Sequence, residues 1–421
     1  MRFARVEDWL DWQARLNPKG IDLGLARVAR VWRALGAPRP APHIVLVAGT
    51  NGKGSCVRLL EGLFGAAGYR VGSYTSPHLW RYHERIRVAG RPIDDEALLA
   101  AFDRVDCARG EVPLTYFEFG TLAALDHFAR AGLDLAVLEV GMGGRLDATN
   151  IVDPDVAVVT SIGLDHTEFL GPDREHVAAE KLGIARPGRP LVYGERDAPD
   201  NLETLAAAAG ARLLRQGRDF ELTPEPACWW WRAPGAAAPI ALPAADVHPD
   251  SAAAALAAAE CLRPLCPWPP EARAAALRDF SLPGRCQRVL GAPELWFDVA
   301  HNAEAVAHLA ARLAAEPRPC EWVFGLLADK PLDAILDRLQ GFGGRWWPCT
   351  ADSPRARPAA RLADALVRRG LVVGGIAEAP EAAFRAARAA AAPEARIVVF
   401  GSFHVVAPVW TAHESAAASG V

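Results

Sequence analysis

An apolar run, Ile44-Val45-Leu46-Val47-Ala48, breaks into Gly49-Thr50-Asn51-Gly52-Lys53-Gly54-Ser55, and a periodic segment follows at Cys56, Val57, Leu59, Leu60, Leu63 and Phe64. That order reads strand, tight loop, helix, with Gly68 just past the helix end. Backbone N–H groups in such a loop converge on an anion, and the helix N-terminus adds its dipole. Lys53 would reach the outer phosphates of a nucleotide, and Ser55 would hold a magnesium ion. The plain alternative is a glycine turn without a ligand. Strand, loop, lysine, hydroxyl and helix in the order the chemistry needs favour the phosphate loop. The loop departs from the common form, because only two residues separate Gly49 from Gly52 and Gly54 stands between Lys53 and Ser55.

A chain of 421 residues is long for one core and comfortable for two. A net charge of -4 argues against a general nucleic-acid binder, which needs a basic face. No apolar run approaches the ~18 residues of a membrane span, and no apolar signal core follows Met1. Eight scattered cysteines include no CxxC and no Cys/His array, so a zinc site or disulfide framework is not expected and a reducing cytoplasm fits.

Strands are expected at Ile44–Ala48, Arg70–Tyr74, Leu135–Val140, Val156–Ile162 and Pro190–Tyr193. Helices are expected at Ser55–Ala67, Tyr116–Ala131 and Arg174–Ala185. The alternation implies a mainly parallel sheet covered by helices. Pro224–Pro243, with Trp229-Trp230-Trp231, reads as a small β excursion, and the Ala-rich helix Ser251–Leu262 should pack closely. Ser281-Leu282-Pro283-Gly284-Arg285 reads as a linker. After it a second alternation follows: strands Trp296–Val299, Trp322–Leu326, Arg345–Cys349, Val372–Ile376 and Arg396–Gly401, with helices between them. The expected architecture is therefore α/β: a P-loop-containing, mainly parallel sheet domain over 1–284, then a smaller Rossmann-like domain over 285–421. The second domain has no G-x-G-x-x-G, so a dinucleotide role is not supported.

Chemistry gathers at the strand ends, where open α/β sheets place ligands. Ser76-Pro77-His78 offers a candidate metal ligand in Ser76 and a supporting group in His78, although a plain Ser-Pro turn would read the same in isolation. Glu139 lies at the end of an apolar strand, where a carboxylate is costly unless it is paired or holds a metal. Magnesium bridging ATP phosphates takes one or two such ligands. Gly141–Gly144 would let backbone approach a ligand, and Arg145 and Asp147 offer a charge of each sign. His166, in Leu164-Asp165-His166-Thr167, is a candidate ligand or a hydrogen-bonded structural residue. Glu180-Lys181, by composition alone, is a solvated face. Arg285 stands at the domain join and Asp298 ends another strand, placed to hold the base and ribose end of ATP.

Taken together, these motifs resemble the folylpolyglutamate synthase family, within the Mur-ligase superfamily. The resemblance covers nearly the whole chain. It rests on Gly49–Ser55, Ser76–Leu79, Tyr116–Phe119, Glu139–Asn150, Leu164–Thr167, Glu180–Ile184, Leu282–Arg285, Asp298–Asn302, Asp329-Lys330 and Gly401–His404, all in family order. The early Ile21-Asp22-Leu23-Gly24-Leu25 is most similar to the bifunctional bacterial branch, where it implies a pterin site. The resemblance implies that Thr50, Asn51, Gly52, Lys53, Gly54 and Ser55 bind ATP phosphates, and that Ser251, Arg285 and Asp298 contact the nucleotide. It implies metal binding by Ser76, Glu139 and His166. It implies substrate binding by Ile21, Asp22, Leu23, Gly24, Thr115, Tyr116, Phe117, Glu118, Leu146, Asp147 and Ala148. Lys53, His166 and Lys181 would serve catalysis, Lys181 as a lysine carboxylated to a carbamate. One departure stands out: the family often has Asn where Ser251 is found here, and Ser is shorter and lacks the amide.

The implied reaction is ATP-dependent amide formation with Mg2+ as cofactor. A substrate carboxylate is phosphorylated to an acyl phosphate, and the amine of L-glutamate displaces phosphate. The expected acyl substrates are dihydropteroate and reduced folates, handled by a cytoplasmic monomer with no nucleic-acid or membrane partner. A cell-wall Mur ligase is the first alternative, weighed against because only 48 residues precede Gly49. A nucleotide switch acting through a partner is the second, disfavoured by so many acidic, His and Ser strand ends.

Overall fold

The computed structural model describes residues 1–418. The chain forms two compact units, Met1–Phe280 and the part from Ser281 onward. Both are α/β, the first built on a large parallel-rich sheet and the second on a smaller one, as the alternation implies.

The first unit carries β1 (His43–Ala48), β2 (Val71–Tyr74), β3 (Ile86–Val88), β4 (Arg91–Pro92), β5 (Leu135–Glu139), β6 (Val156–Val159), β7 (Pro190–Tyr193) and β8 (Arg212–Arg215). Their order is β4-β3-β2-β5-β1-β6-β7-β8. From β2 to β8 all pairings are parallel, whereas β3 and β4 add an antiparallel edge. Both faces of the sheet are covered, which is why β1 reads as an unbroken apolar run rather than an alternation. Ile44, Leu46 and Ala48 face one core, with Leu138, Val159 and Phe119. Val45 and Val47 face the other, with Leu59, Leu63 and the Ala-rich helix. That helix, Pro249–Leu262, buries Ala252 to Ala259 completely, because methyl side chains let its backbone lie close on the sheet.

The helices Val6–Leu16, Leu25–Ala34 and Asp95–Arg109 lie outside the alternation read from the sequence. The helix Leu25–Ala34 is amphipathic, burying Val28, Val31 and Trp32 with arginines on its other face, so its pattern is helical although it precedes the strand–helix alternation. The strand expected at Val156–Ile162 ends at Val159, because Thr160 and Ser161 turn their hydroxyls into the loop after β1. The excursion forms an antiparallel sheet of β9 (Glu221–Pro224), β10 (Trp229–Arg232) and β11 (Ile240–Leu242), with Trp229 and Trp231 buried and Trp230 outside.

The second unit orders β12 (Gln287–Val289), β13 (Glu294–Asp298), β14 (Cys320–Phe324), β15 (Arg345–Pro348), β16 (Val372–Val373) and β17 (Arg396–Phe400) as β12-β13-β17-β14-β15-β16. Only β12 is antiparallel. The strand read as Val372–Ile376 stops at Val373, before Gly374 and Gly375. The helix Phe403–Ala418 closes the described chain. Among the described residues no helix is long and apolar enough to cross a membrane.

Candidate active site

Strand order assembles the site. Because β2, β5, β1 and β6 are adjacent and parallel, the loops leaving their carboxyl ends lie side by side along one sheet edge. These are the loops that begin at Gly49, Thr75, Val140 and Thr160, the four strand ends singled out in the sequence. The chain reverses direction across the sheet at β1, the switch point where open α/β sheets bind ligands.

The loop after β1 needs glycine twice. Gly49 has φ +153° and Gly52 φ +83°, and a Cβ on either would collide, with Thr160 Oγ1 and Ser251 Oγ respectively. Residues after β6 brace the loop. Asn51 N donates to Ser161 Oγ at 2.8 Å, and Thr160 Oγ1 donates to Asn51 O at 2.6 Å. Thr50 N donates to Ser161 O at 2.9 Å, and Gly163 N donates to Thr50 Oγ1 at 2.9 Å. Thr160 and Ser161 are thus the scaffold of the loop after β1. Lys53 opens the helix Lys53–Ala66 and folds its ammonium over the loop, donating to Gly49 O at 3.0 Å and Thr50 O at 3.2 Å. Ser55 lies buried in the first turn. Ser251 is buried against Gly52, so the start of the Ala-rich helix touches the loop after β1 directly.

Ser76 and Glu139 meet: Ser76 N donates to Glu139 Oε2 at 3.1 Å. Glu139 is buried at the end of β5, and with burial its charge helps push the Cys56 thiol up, which leaves that cysteine inert. His78 Nδ1 accepts from Arg85 Nε at 2.9 Å. His166 adopts the left-handed conformation, φ +51°, and starts the short helix Thr167–Leu170. Lys181 is only 3% exposed, so the solvated face that composition suggests for Glu180-Lys181 is not what the chain forms. Glu180 pairs with Arg145 at 2.7 Å, and a Cβ on Gly144 would stand 2.9 Å from the carbonyl oxygens of both Glu180 and Lys181. The glycines after Glu139 therefore serve a close approach to the helix Arg174–Leu182.

The three segments of the implied pterin site also converge. Gly24 N donates to Leu146 O at 3.3 Å. Arg27 pairs with Asp22 at 2.8 Å and with Glu118 at 3.0 Å. Thr115 and Glu118 form a capping box that starts the helix Tyr116–Arg130. The Phe117 ring lies on Gly141. Ile21 is among the exposed large apolar side chains, and Leu23 is half-buried in the same segment. Asp147 is engaged within its own loop, accepting from Met142 N at 3.0 Å and from Thr149 Oγ1 at 2.7 Å, while burial raises its carboxyl pKa. Ala148 begins the short turn that Asp147 caps. Arg27 is absent from the sequence reading. Its only signal is its place two residues beyond Leu25.

In the second unit, Asp298 ends β13 and accepts from Cys286 N at 2.7 Å and Ala300 N at 2.6 Å. Burial raises its pKa, and the Arg285 charge opposes that shift. Arg285 lies over the Phe403 ring at 5.2 Å.

A carboxylate, a hydroxyl residue and an imidazole suit magnesium that is also held by phosphates, since that ion takes few protein ligands. Among the described residues no group of three or more His, Cys, Asp or Glu side chains is arranged to hold a metal by itself. A cation bridging a bound nucleotide needs no such group.

Two family models match the chain: the Mur ligase middle domain over residues 47–214 and the Mur ligase, glutamate ligase domain over residues 284–403. The chain is 43% identical over 411 residues to the dihydrofolate synthase/folylpolyglutamate synthase of Escherichia coli (strain K12), covering 96% of this chain and 94% of that protein. Its structure is similar to E. coli FolC in complex with DHPP and ADP, with TM-score 0.93, 41% identity and 98% of each chain covered. It is also similar to a bifunctional folylpolyglutamate synthase/dihydrofolate synthase with Mn, AMPPNP and L-glutamate bound, with TM-score 0.91, 41% identity and 98% of each chain covered.

Proposed function

The chain belongs to the dihydrofolate synthase/folylpolyglutamate synthase family of Mur ligases, and from that premise we propose that it joins L-glutamate to dihydropteroate and to reduced folates at the expense of ATP. The observation that carries this reading is the convergence of the segments at 21–24, 115–118 and 146–148 beside a glycine-strained phosphate loop. A pterin acid and a nucleotide then have adjoining places in the first unit.

The acyl substrate's carboxylate oxygen attacks the γ-phosphorus of ATP, and ADP leaves. The glutamate amine then attacks the acyl carbon, and phosphate leaves. Loop N–H groups from Gly52 to Ser55 and the Lys53 ammonium stabilise charge on the phosphates, the main contribution a protein makes to such transfers. Ser76, Glu139 and His166 would hold the divalent cation, which supplies further charge neutralisation at the phosphates. Lys181, as a carbamate, would present anionic oxygens where its free ammonium would repel a cation. Ser251, Arg285 and Asp298 are assigned to ATP by resemblance.

We further place the chain in the cytoplasm as a monomer. Its eight cysteines are free thiols, as in a reducing compartment. Size-exclusion chromatography with light scattering tests the monomer.

The deciding assay is ADP release with ATP, Mg2+, L-glutamate and dihydropteroate. Release that needs both acids, with dihydrofolate as product, is expected, as is elongation of a reduced folate. Turnover with a UDP-sugar peptide and none with a pterin acid would overturn the reading.

A further inference from the structure

Arg85 ends the turn Tyr82–Arg85 and leads into β3. Its side chain is 8% exposed. A guanidinium stays charged at any working pH, and taking it out of water costs several kcal/mol unless hydrogen bonds and an anion replace the lost solvent. The other buried arginines among the described residues obey this rule: Arg109 pairs with Asp106 at 2.8 Å, Arg273 with Glu260 at 3.1 Å and Arg396 with Glu294 at 3.5 Å.

Arg85 does not. Its Nε donates to His78 Nδ1 at 2.9 Å, and its guanidinium lies over the rings of Tyr82 and Tyr116 at 5.1 and 5.5 Å. The rings offset part of the desolvation cost. Among the described residues no carboxylate forms an ion pair with Arg85, and its Nη nitrogens have no hydrogen-bond acceptor. The four N–H groups of the fork are therefore the unmatched half of a bidentate pair.

Position indicates what completes it. Tyr116 follows Thr115 in the segment assigned to the pterin acid. His78 stands two residues beyond Ser76, which holds Glu139. Arg85 thus bridges the acyl-substrate segment and the strand-end loop assigned to the cation. We propose that Arg85 is a binding residue for a carboxylate of the acyl substrate, held by its guanidinium fork between the Tyr82 and Tyr116 rings. The proposal rests on the function given above. A planar fork suits a carboxylate better than it suits the amine nucleophile or the pterin ring. Two carboxylates have this chemistry: the aryl carboxylate that reacts in dihydropteroate, and the α-carboxylate that a folate carries in addition.

The test is equilibrium binding of dihydropteroate and of its carboxamide analogue to the wild-type chain and to Arg85→Gln, with tetrahydrofolate and its α-carboxamide as the second arm. ATP binding and thermal melting are measured alongside. The wild type should prefer the acid over the amide by about 10- to 100-fold, the range of a hydrogen bond to a charged group. Arg85→Gln should lose that preference while keeping its affinity for ATP. Arg85→Lys, which keeps the charge without the fork, should fall between the two and decides the matter if the Gln variant does not fold. Loss with dihydropteroate alone assigns the reacting carboxylate, loss with the folate alone assigns the α-carboxylate, and loss in both arms assigns the fork to whichever of the two the bound substrate carries. Undiminished preference for the acid in a folded variant overturns the subsite, as does a loss of ATP affinity instead. Failure of the wild type to bind either pterin acid overturns the functional reading itself.

Discussion

The backbone N–H of Ser76 donates to Oε2 of Glu139 at 3.1 Å, joining residues 63 positions apart at the carboxyl ends of adjacent strands. The bond ties the loop after β2 to the end of β5. We read Glu139 as a cation ligand rather than a stabiliser of the strand, because a buried carboxylate is costly to a fold.

Glu139→Gln should therefore raise the magnesium concentration needed for half-maximal turnover by at least about tenfold, the usual scale for a lost ligand contact. The melting temperature should hold or rise, because a buried charge is removed. A magnesium titration of ADP release, read beside a thermal melt, checks both halves. A normal magnesium response would return Glu139 to a structural role.

Lys53→Ala should abolish ligation and leave the fold intact. Its ammonium contacts carbonyls of its own loop, at Gly49 and Thr50, and the neighbouring hydroxyls of Thr160 and Ser161 hold that loop without it. Turnover and circular dichroism of the variant decide this, and near-wild-type turnover would sink the loop's assignment.

Gly52→Ala combines two faults. A left-handed φ of +83° costs an L-residue about 1–2 kcal/mol, and the new methyl meets Ser251 Oγ. Melting should fall and nucleotide binding should weaken. Adding Ser251→Ala removes the collision but leaves the backbone cost, so the double variant should recover only part of the stability. Full recovery would mean that backbone strain is absent.

Arg27→Met should act on one substrate. Arg27 pairs with both Asp22 and Glu118, so its loss frees the segment at 21–24 from the start of the helix Tyr116–Arg130. The KM for dihydropteroate should rise about tenfold or more, as expected for a broken partly buried ion-pair network, while the KM for ATP stays put. Equal changes in both constants would mark a general loss of structure.

Lys181→Ala should lose most activity, because the side chain is buried rather than solvated. Partial rescue by a short external carboxylate is expected if a carbamate occupies the position. A carbamate carbon should also be visible by 13C NMR in bicarbonate buffer for the wild type and be absent from the variant. An active alanine variant with no such signal would leave Lys181 as a packed structural lysine.

Short-range patterns sufficed for the strand–loop–helix around Gly49 to Ser55 and for the alternation of both units. Strand period, glycine at positive φ and a lysine at a helix start are local facts, written within a dozen residues. The burial alternation in Trp229-Trp230-Trp231 is local in the same sense. The helices Val6–Leu16 and Leu25–Ala34 carry a local amphipathic pattern, but what their stripes pack on, the helices Asp95–Arg109 and Tyr116–Arg130, is a matter of tertiary structure. Nor could composition place Lys181, whose burial depends on how the loop after Glu139 docks on its helix. Arg27 and Arg85 join nearby partners, Asp22 for the one and His78 and Tyr82 for the other, to Glu118 and Tyr116 far along the chain, which no local pattern shows. Which chemistry each strand end can offer follows from local residues alone. The tertiary structure decided that β2, β5, β1 and β6 stand in that order, because parallel pairing of distant strands, not any local preference, brings four loops to one edge.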